Sequence, residues 1–247
     1  MLDAIGSEFR KLLTVRSTYV NVTICLLIVA LFAGFGSGYH NAASSLQNTQ
    51  LLANQSADAV VFAGLILAFV GLLLAGHEYR YNTIMYTLTT SNRRLKVLFA
   101  KFVVITVFSL VVGLFMTFFS PLCTIIGAHL AGHPIAPQTF DTWHIMWTCL
   151  FCVWGYAMYA LILLLILRNQ IGAIVTFLIL PLVGENILMQ LFHNIGKNLP
   201  FTALQAVLQP TSLGNHTTTG RQAVVVLIYV AAGLLVSAIL FTRRDAN

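Results

Sequence analysis

The chain has 247 residues, of which 58% are hydrophobic and only 8% charged, and its formal net charge is +6. Soluble domains carry about 25% charged residues, so this composition excludes an ordinary water-soluble protein and predicts an integral membrane protein. The apolar runs are long and lack the roughly ten-residue alternating pattern of outer-membrane strands, so we expect the spanning elements to be α-helices.

The first element is an amphipathic segment over residues 1–16. Its apolar residues recur at helical spacing and its charged residues lie mostly off that stripe: Leu2, Ile5, Phe9, Leu12 and Leu13 against Asp3, Glu8, Arg10 and Lys11. This pattern predicts a helix that lies in the membrane interface, with its basic residues facing lipid headgroups or a cytoplasmic partner. A frayed basic terminus that only sets orientation is the alternative.

Six apolar runs follow, each near the roughly twenty residues that cross a bilayer. They are Tyr19–Gly36, Ala59–Gly76, Phe102–Ser120, His144–Leu167, Ile171–Leu191 and Gln222–Thr242. The third run ends near Pro121 or continues past it, because proline is tolerated in membrane helices. Only Arg168, Asn169 and Gln170 separate the fourth and fifth runs, which predicts a tight helical hairpin.

The distribution of basic residues predicts the orientation. Six spans place both termini on one side, together with the second and fourth loops. Of the thirteen Lys and Arg residues, that side carries all but Lys197 and Arg221. By the positive-inside rule both termini are cytoplasmic, in a multi-pass protein of a cell membrane, which we expect to be a bacterial plasma membrane. Topology then accounts for the net charge, and no nucleic-acid partner is expected.

The loop 77–101 is the most polar and basic break between the spans, with five Lys and Arg residues. Its sequence, HEYRYNTIMYTLTTSNRRLKVLFAK, mixes acidic, basic, aromatic and helix-forming residues. Between two spans this composition favours a short cytoplasmic helix or turn, parallel to the membrane, that serves as a docking surface. The segment Arg93–Lys101 is interpreted as the topological anchor that leads into the third span.

Glu185 is the acidic residue of the fifth run, and it follows Pro181 and Gly184. An ionised carboxylate at mid-bilayer costs roughly 2.5–3.5 kcal/mol on insertion scales, so such a residue is usually sheltered or functional. Two hypotheses remain open. Either Glu185 reaches the outer interface, or Pro181 breaks the helix and Glu185, Asn186 and Gln190 line an outward-facing translocation pathway or gate.

The region between the fifth and sixth runs contains the segments FHNIGKNL and FTALQAVLQP, broken by Pro200 and Pro210. They are apolar enough to form short re-entrant or interfacial helices, which membrane proteins tolerate when the backbone is buried in protein or lines a cavity.

Metal and redox chemistry receive weaker support. Six histidines fall on the predicted outer side: His40, His129, His133, His144, His193 and His216. His129 and His133 have the spacing of one helical face, but no carboxylate or thiol accompanies them nearby in sequence. Cys149 and Cys152 also share a face, where small packing residues are the favoured interpretation.

The chain contains no GxxxxGK[ST] phosphate loop, no HExxH and no GxSxG motif. It is therefore not expected to hydrolyse ATP itself or to be a zinc protease or serine hydrolase of the common types.

Three segments resemble short permeases of the ABC-2 type: SEFRKLLTVRSTY, AGHEYRYNTIMYTLTTSNRRLKVLFAK and FTRRDAN. The six-span plan agrees over the whole length. Two departures stand out, Asn82 where glycine is common before the threonine, and the lack of a proline in TTSNRR.

The resemblance implies an all-α permease subunit of an ABC exporter, with a connecting helix at 1–16, one six-helix domain at 17–247 and a cytoplasmic tail at 243–247. It implies ATPase subunits and a second or related permease as partners, the ATPase subunits binding ATP and Mg while this chain binds no cofactor. It assigns the connecting-helix surface to Glu8, Phe9, Arg10 and Lys11. It assigns ATPase coupling to the region Glu78–Leu88, in particular to Glu78, Tyr79, Arg80, Asn82, Thr83 and Tyr86.

Two other classes of protein remain open. A cassette-independent secondary transporter or channel would depend on Glu185 and Pro181. A membrane-embedded metal-binding protein or enzyme would depend on the outer histidines.

Overall fold

The computed structural model describes residues 2–40, 49–80, 94–133, 142–192, 196, 198–208 and 219–243. All regular structure in these ranges is helical. The first helix is α1 (Leu2–Thr14), and extended backbone at Val15 separates it from the next one. The others are α2 (Arg16–Val29, continued by π-helical Ala30–His40), α3 (Thr49–Arg80), α4 (Arg94–Leu130), α5 (Thr142–Leu167), α6 (Gln170–Ile179, continued by π-helical Leu180–Gly184), α7 (Glu185–Leu191), α8 (Pro200–Leu208) and α9 (Thr219–Arg243).

Six helical stretches in the described ranges are long and apolar enough to cross a bilayer, which confirms the predicted all-α, six-span architecture. We number them as spans one to six. They cover Arg16–His40, Ser56–Tyr79, Leu95–Leu130, Met146–Leu167, Gln170–Leu191 and Thr219–Leu240.

Spans two and four form the centre of the bundle, and the other four surround them. In the most apolar window of each span, 67% of residues are buried in spans two and four but only 17–33% in the others. The four surrounding spans carry large exposed side chains such as Phe35, Phe115 and Leu182. Such surfaces suit a hydrocarbon solvent, in which exposed apolar side chains carry no penalty.

Helix α4 runs through Pro121 without ending, so the longer of the two predicted third spans is the correct one. Proline lacks the N–H that would bond the carbonyl four residues earlier, which belongs to Thr117. Hydroxyl groups satisfy other backbone acceptors in this region. Thr117 Oγ1 donates to the Gly113 carbonyl at 2.8 Å, and Ser120 Oγ donates across to the Ser56 carbonyl in α3 at 2.6 Å.

The second half of span one, Ala30–His40, is π-helical and packs closely on α4. The contact is made by backbone, because a Cβ atom added at Gly127 would overlap the carbonyl of Gly34. Glycine at this position therefore lets the two helices approach more closely than any other residue allows.

The predicted hairpin between spans four and five is present and needs only two non-helical residues. Arg168 has a φ of 52°, in the left-handed region that side chains other than glycine adopt infrequently. Asn169 then caps α6, its side-chain oxygen accepting from the backbone N–H groups of Ile171 and Gly172 at 3.0 and 3.2 Å.

Helix α8 packs among the spans, and six of its nine residues are buried, which fits the re-entrant alternative of the two predicted for this segment. Its Phe201 ring packs against Tyr156 and Tyr159 of span four, with ring centroids 6.0 and 5.3 Å apart. These two tyrosines lie about 15 to 20 Å from the Met146 end of span four, at 1.5 Å per residue. The N-terminus of α8 therefore reaches the middle of the bundle.

Candidate functional site

Four charged side chains meet where α1 contacts the ends of spans two and three. Lys11 Nζ lies 2.7 Å from Glu8 Oε1 and 2.8 Å from Glu78 Oε1. Lys101 Nζ lies 2.8 Å from Glu8 Oε2 and 2.9 Å from Glu78 Oε2. Each carboxylate oxygen thus faces one ammonium group, and positive and negative charges alternate around a closed circuit. We call these four residues the charged ring.

The charged ring joins three separate elements of the chain. Glu8 and Lys11 come from α1, Glu78 from the last turns of α3, and Lys101 from the first turns of α4. The side chains of Lys101, Glu8 and Glu78 are 2%, 3% and 8% exposed, whereas that of Lys11 is 41% exposed. The buried side chains are one cation and two anions, so the half-exposed Lys11 supplies the second positive charge that balances the ring.

Helix α1 places these residues by burying the stripe Ile5, Glu8 and Leu12, which are three and four residues apart. Leu12 is completely buried in the core beside Glu8. Phe9 and Leu13 form a second, exposed apolar stripe. The helix is therefore fastened to the bundle by one face and presents an apolar edge with the other, as expected of a helix at a membrane interface.

Electrostatics favour the charged forms of Glu8 and Lys11. Burial alone would raise the pKa of Glu8, but Lys101 and Lys11 outweigh burial and hold that pKa below its ordinary value of 4.5. Burial would similarly lower the pKa of Lys11, but the hydrogen bonds to Glu78 and Glu8 raise it above its ordinary value of 10.5. Glu8 and Lys11 are therefore both ionised at neutral pH.

A second contact holds the same end of α3 from the opposite direction. Gly76, one turn before Tyr79, packs against Gln170 at the start of span five, where an added Cβ would lie 2.8 Å from Gln170 Cγ. Tyr79 packs on the core and lies within electrostatic reach of Arg168. The Arg168 guanidinium in turn donates to the Leu240 carbonyl of span six at 2.8 Å. The end of span two is thus linked to α1 and to spans three, five and six.

The predicted coupling residues are only partly described by the structure. Glu78, Tyr79 and Arg80 form the end of α3, whereas Asn82, Thr83 and Tyr86 lie outside the described residues. Glu78 is buried within the charged ring and so contacts α1 and α4 rather than an open surface.

The predicted connecting-helix residues divide by face. Glu8 and Lys11 belong to the charged ring, whereas Phe9 and Arg10 are exposed. Phe9 and Arg10, with the half-exposed Lys11, are therefore open to lipid or to another protein in this conformation, whereas Glu8 is not.

Lys101 is the member of the ring that sequence reasoning missed, since it was interpreted as part of a topological anchor. A signal was present, because a lysine within the apolar sequence LFAKFVV needs a counter-charge when it is buried. Its separation from Glu8 by 93 residues hid the partner.

Glu185 belongs to α7 and is buried, and its carboxylate lies at the N-terminus of α8. Its carboxylate accepts from Phe201 N at 2.9 Å, Thr202 N at 2.6 Å and Thr202 Oγ1 at 2.7 Å. The first N–H groups of a helix lack internal partners, and the helix dipole favours a negative charge there. Glu185 thus caps a helix that is sixteen residues away in the chain.

The remaining residues of the predicted outer pathway do not share the environment of Glu185. Asn186 and Gln190 are exposed, and Asn186 Nδ2 donates to the Leu182 carbonyl of its own helix at 2.8 Å. Pro181 lies in the π-helical segment Leu180–Gly184, so it widens the helix locally without ending it. The assignment of these residues to a pathway or gate stays a prediction.

Histidine and cysteine positions add no metal cluster within the described ranges, where no three His, Cys, Asp or Glu side chains lie together. Two cysteines bond backbone across helix contacts, Cys25 Sγ to the Ala63 carbonyl at 3.3 Å and Cys152 Sγ to the Leu204 carbonyl at 3.2 Å. The latter contact helps to seat α8 against span four.

The comparison with protein families decides the class of this molecule. A family model described as ABC-2 family transporter protein matches residues 4–185, about three quarters of the chain. The chain belongs to the ABC-2 transporter family. The matched region contains all four residues of the charged ring and ends at Glu185, before α8 and α9. No curated protein matches the chain significantly.

ABC-2 membership and the six apolar helices make the chain a multi-pass membrane component of a transporter. The family's permeases work in general with ABC ATPase subunits, so the chain is a transport component and not itself catalytic.

Proposed function

We propose that this chain is the permease subunit of an ATP-driven exporter, and that the charged ring transmits movement from separate ATPase subunits to the spans. The observation that carries this proposal is the set of four ion-pair contacts, each of 2.7–2.9 Å, that join α1, α3 and α4. In such a transporter the ATPase subunits contact this chain at the loop 77–101. They also bind ATP and Mg, whereas this chain binds no ATP and no Mg.

The proposed orientation places both termini and the charged ring in the cytoplasm. The ring puts α1 at the same end of the bundle as the loop between spans two and three. The basic residues of the chain concentrate at that end, which supports a cytoplasmic assignment. A push on the loop then reaches span two directly and reaches α1 and span three through Glu78.

The ring suits transmission because its ion pairs are short and mostly buried. Removing one partner of a buried pair costs about 3–5 kcal/mol, since the remaining charge is left uncompensated. The ends of α1, α3 and α4 therefore move together rather than separately. We assign Glu8, Lys11, Glu78 and Lys101 as positioning residues and the loop beyond Arg80 as the ATPase contact.

Two permease copies, or this chain with a related permease, enclose the transport path in this proposal. The cargo is an amphipathic molecule such as a peptide, an antibiotic or a lipid, because the spans offer mainly apolar walls. Export is the proposed direction, since the outer connections offer no evident docking domain for a soluble binding protein.

The test is purification of the tagged full-length chain from its native membranes with any bound ATPase, followed by reconstitution in nanodiscs. We expect a vanadate-sensitive ATPase to co-purify. Trapping with ATP and vanadate should change hydrogen exchange at the outer ends of the spans in the wild type. The Lys101→Met variant should still hydrolyse ATP but lose that change in exchange.

Lys96→Met is the matched control, because Lys96 is an exposed lysine on the same helix, five residues before Lys101. It should behave like the wild type. Absence of any co-purifying ATPase would reject the permease assignment. An unchanged exchange response in Lys101→Met would reject the role of the charged ring while leaving the permease assignment intact.

A further inference from the structure

A cavity of about 250 Å³ lies between spans four, five and six, beside the N-terminus of α8. Its wall is almost entirely apolar, and the lining residues of span six lie at the surface, with Tyr229 39% and Val236 46% exposed. The lining residues are Tyr159, Ile162, Leu163, Ile166, Leu180, Pro200, Phe201, Tyr229, Ala232, Gly233 and Val236.

The cavity lies at the depth of one leaflet. Its span-four residues, Tyr159 to Ile166, occupy the half of that span nearer the Arg168 turn, and Tyr229 to Val236 occupy the corresponding half of span six. In the proposed orientation this half is the cytoplasmic one. An apolar cavity of about 150 Å³ in a protein already accepts benzene, so hydrocarbon from the adjacent leaflet fits this larger space.

A cation marks the end of the cavity that faces the membrane surface. Arg168 lies two residues beyond Ile166, and its guanidinium donates to the Leu240 carbonyl. Leu240 is one helical turn beyond Val236, or about 6 Å along span six. The apolar cavity therefore ends near a single guanidinium group, that of Arg168.

From this arrangement we propose that the cavity binds one anionic glycerophospholipid of the cytoplasmic leaflet, with an acyl chain between spans four and six and its phosphate at Arg168. The guanidinium is always charged and its fork of N–H donors suits phosphate oxygens, so it attracts an anionic headgroup to this end of the cavity. The acyl chain fills the cavity, so the apolar wall contacts only hydrocarbon. This site is separate from the charged ring and does not depend on an ATPase partner.

The test is native mass spectrometry of the full-length chain in detergent, with dioleoylphosphatidylglycerol or dioleoylphosphatidylcholine added. The wild type should retain the anionic lipid several-fold better than the zwitterionic one. Arg168→Gln should lose that preference and Arg168→Lys should retain most of it. Equal retention of both lipids by the wild type, or an unchanged preference in Arg168→Gln, would overturn the proposal.

Ala232→Phe, which fills the cavity, should lose both lipids, whereas Ala231→Phe is the matched control because Ala231 is exposed on the same helix outside the cavity lining. Equal lipid retention by these two variants would also count against the site. A phosphatidylglycerol with a diazirine on its acyl chain gives a readout in the unmodified protein. It should label peptides from 159–166 and 229–236, and labelling confined to other spans would reject the location.

Discussion

A closed ring of alternating charges and two independent salt bridges respond differently when charges are removed or exchanged. Lys101→Met removes a lysine that is 2% exposed and leaves Glu8 and Glu78 to share Lys11. Loss of one partner from a buried pair costs about 3–5 kcal/mol. For a chain of this size, that loss corresponds to a fall in the unfolding midpoint on the order of 10 °C.

Exchanging the charges of two neighbours should not rescue the ring. In the double variant Glu78→Lys with Lys101→Glu the net charge is unchanged, and the exchanged residues still attract each other. However, the new Lys at 78 then faces Lys11 and the new Glu at 101 faces Glu8, so two of the four contacts become repulsive. We expect this variant to be no more stable than Lys101→Met.

Reversing all four charges restores alternation around the circuit. We expect the fourfold variant to recover at least half of the stability that Lys101→Met loses, since side-chain lengths differ but every contact is again attractive. The assay is thermal unfolding in nanodiscs, with Lys96→Met as the control that keeps the wild-type midpoint. If the neighbour exchange restored as much stability as the fourfold reversal, Glu8 and Lys11 would not form a ring with the other pair.

Three further predictions concern other contacts. Because the folded pKa of Glu8 is lowered and that of Lys11 is raised, their stabilising contribution is fully present above the ordinary carboxyl pKa of 4.5 and below the ordinary ammonium pKa of 10.5. This stability should be lost as pH falls through the folded pKa of Glu8 or rises through that of Lys11. Thermal unfolding measured against pH should show both losses. The Glu8→Gln variant should reduce the loss of stability at acid pH. Glu185→Ala leaves two backbone N–H groups of α8 without an acceptor, at about 1–3 kcal/mol each, and should speed hydrogen exchange at Phe201 and Thr202, whereas an unchanged rate would contradict the capping role. Gly127→Ala should destabilise by about 1–3 kcal/mol through its overlap with the Gly34 backbone in span one, while Gly6→Ala, with open space around it, should not.

The parts of the fold that sequence predicted well are those set by local pattern. Runs of apolar residues determine the spans, and the short Arg168–Asn169 break determines the hairpin, because each depends on neighbours in the chain. A short helix at α8 was also predicted, because its segment is apolar and broken by Pro200 and Pro210, but the sequence left re-entrant and interfacial positions open.

The parts that sequence could not predict depend on distant contacts. Nothing local to Glu185 indicates that its partners are Phe201 and Thr202, and nothing local to Glu78 indicates α1. A charge in an apolar context signals that a partner exists, but the tertiary fold selects which one. The amphipathic pattern of α1 likewise could not distinguish its two apolar edges, of which Leu12 is buried and Phe9 exposed.

Span five joins the two polar sites of the molecule. Its first residue, Gln170, packs on Gly76 beside the charged ring, and its far half carries Glu185, which holds α8. Between them the helix widens into the π-helical segment Leu180–Gly184, a feature that is frequent where helices adjust at functional sites. A shift of the end of span two therefore has a continuous route of packed atoms to α8.

The Gly76–Gln170 contact allows this route to be tested without altering either charged site. Gly76→Val should push Gln170 away, because a Cβ atom added at this position would lie only 2.8 Å from Gln170 Cγ. Combining it with Gln170→Ala removes the obstructing side chain and should restore the packing. If span five carries the movement, hydrogen exchange of α8 should rise in Gly76→Val and return to the wild-type rate in the double variant. Equal exchange in all three proteins would show that α8 is independent of the end of span two.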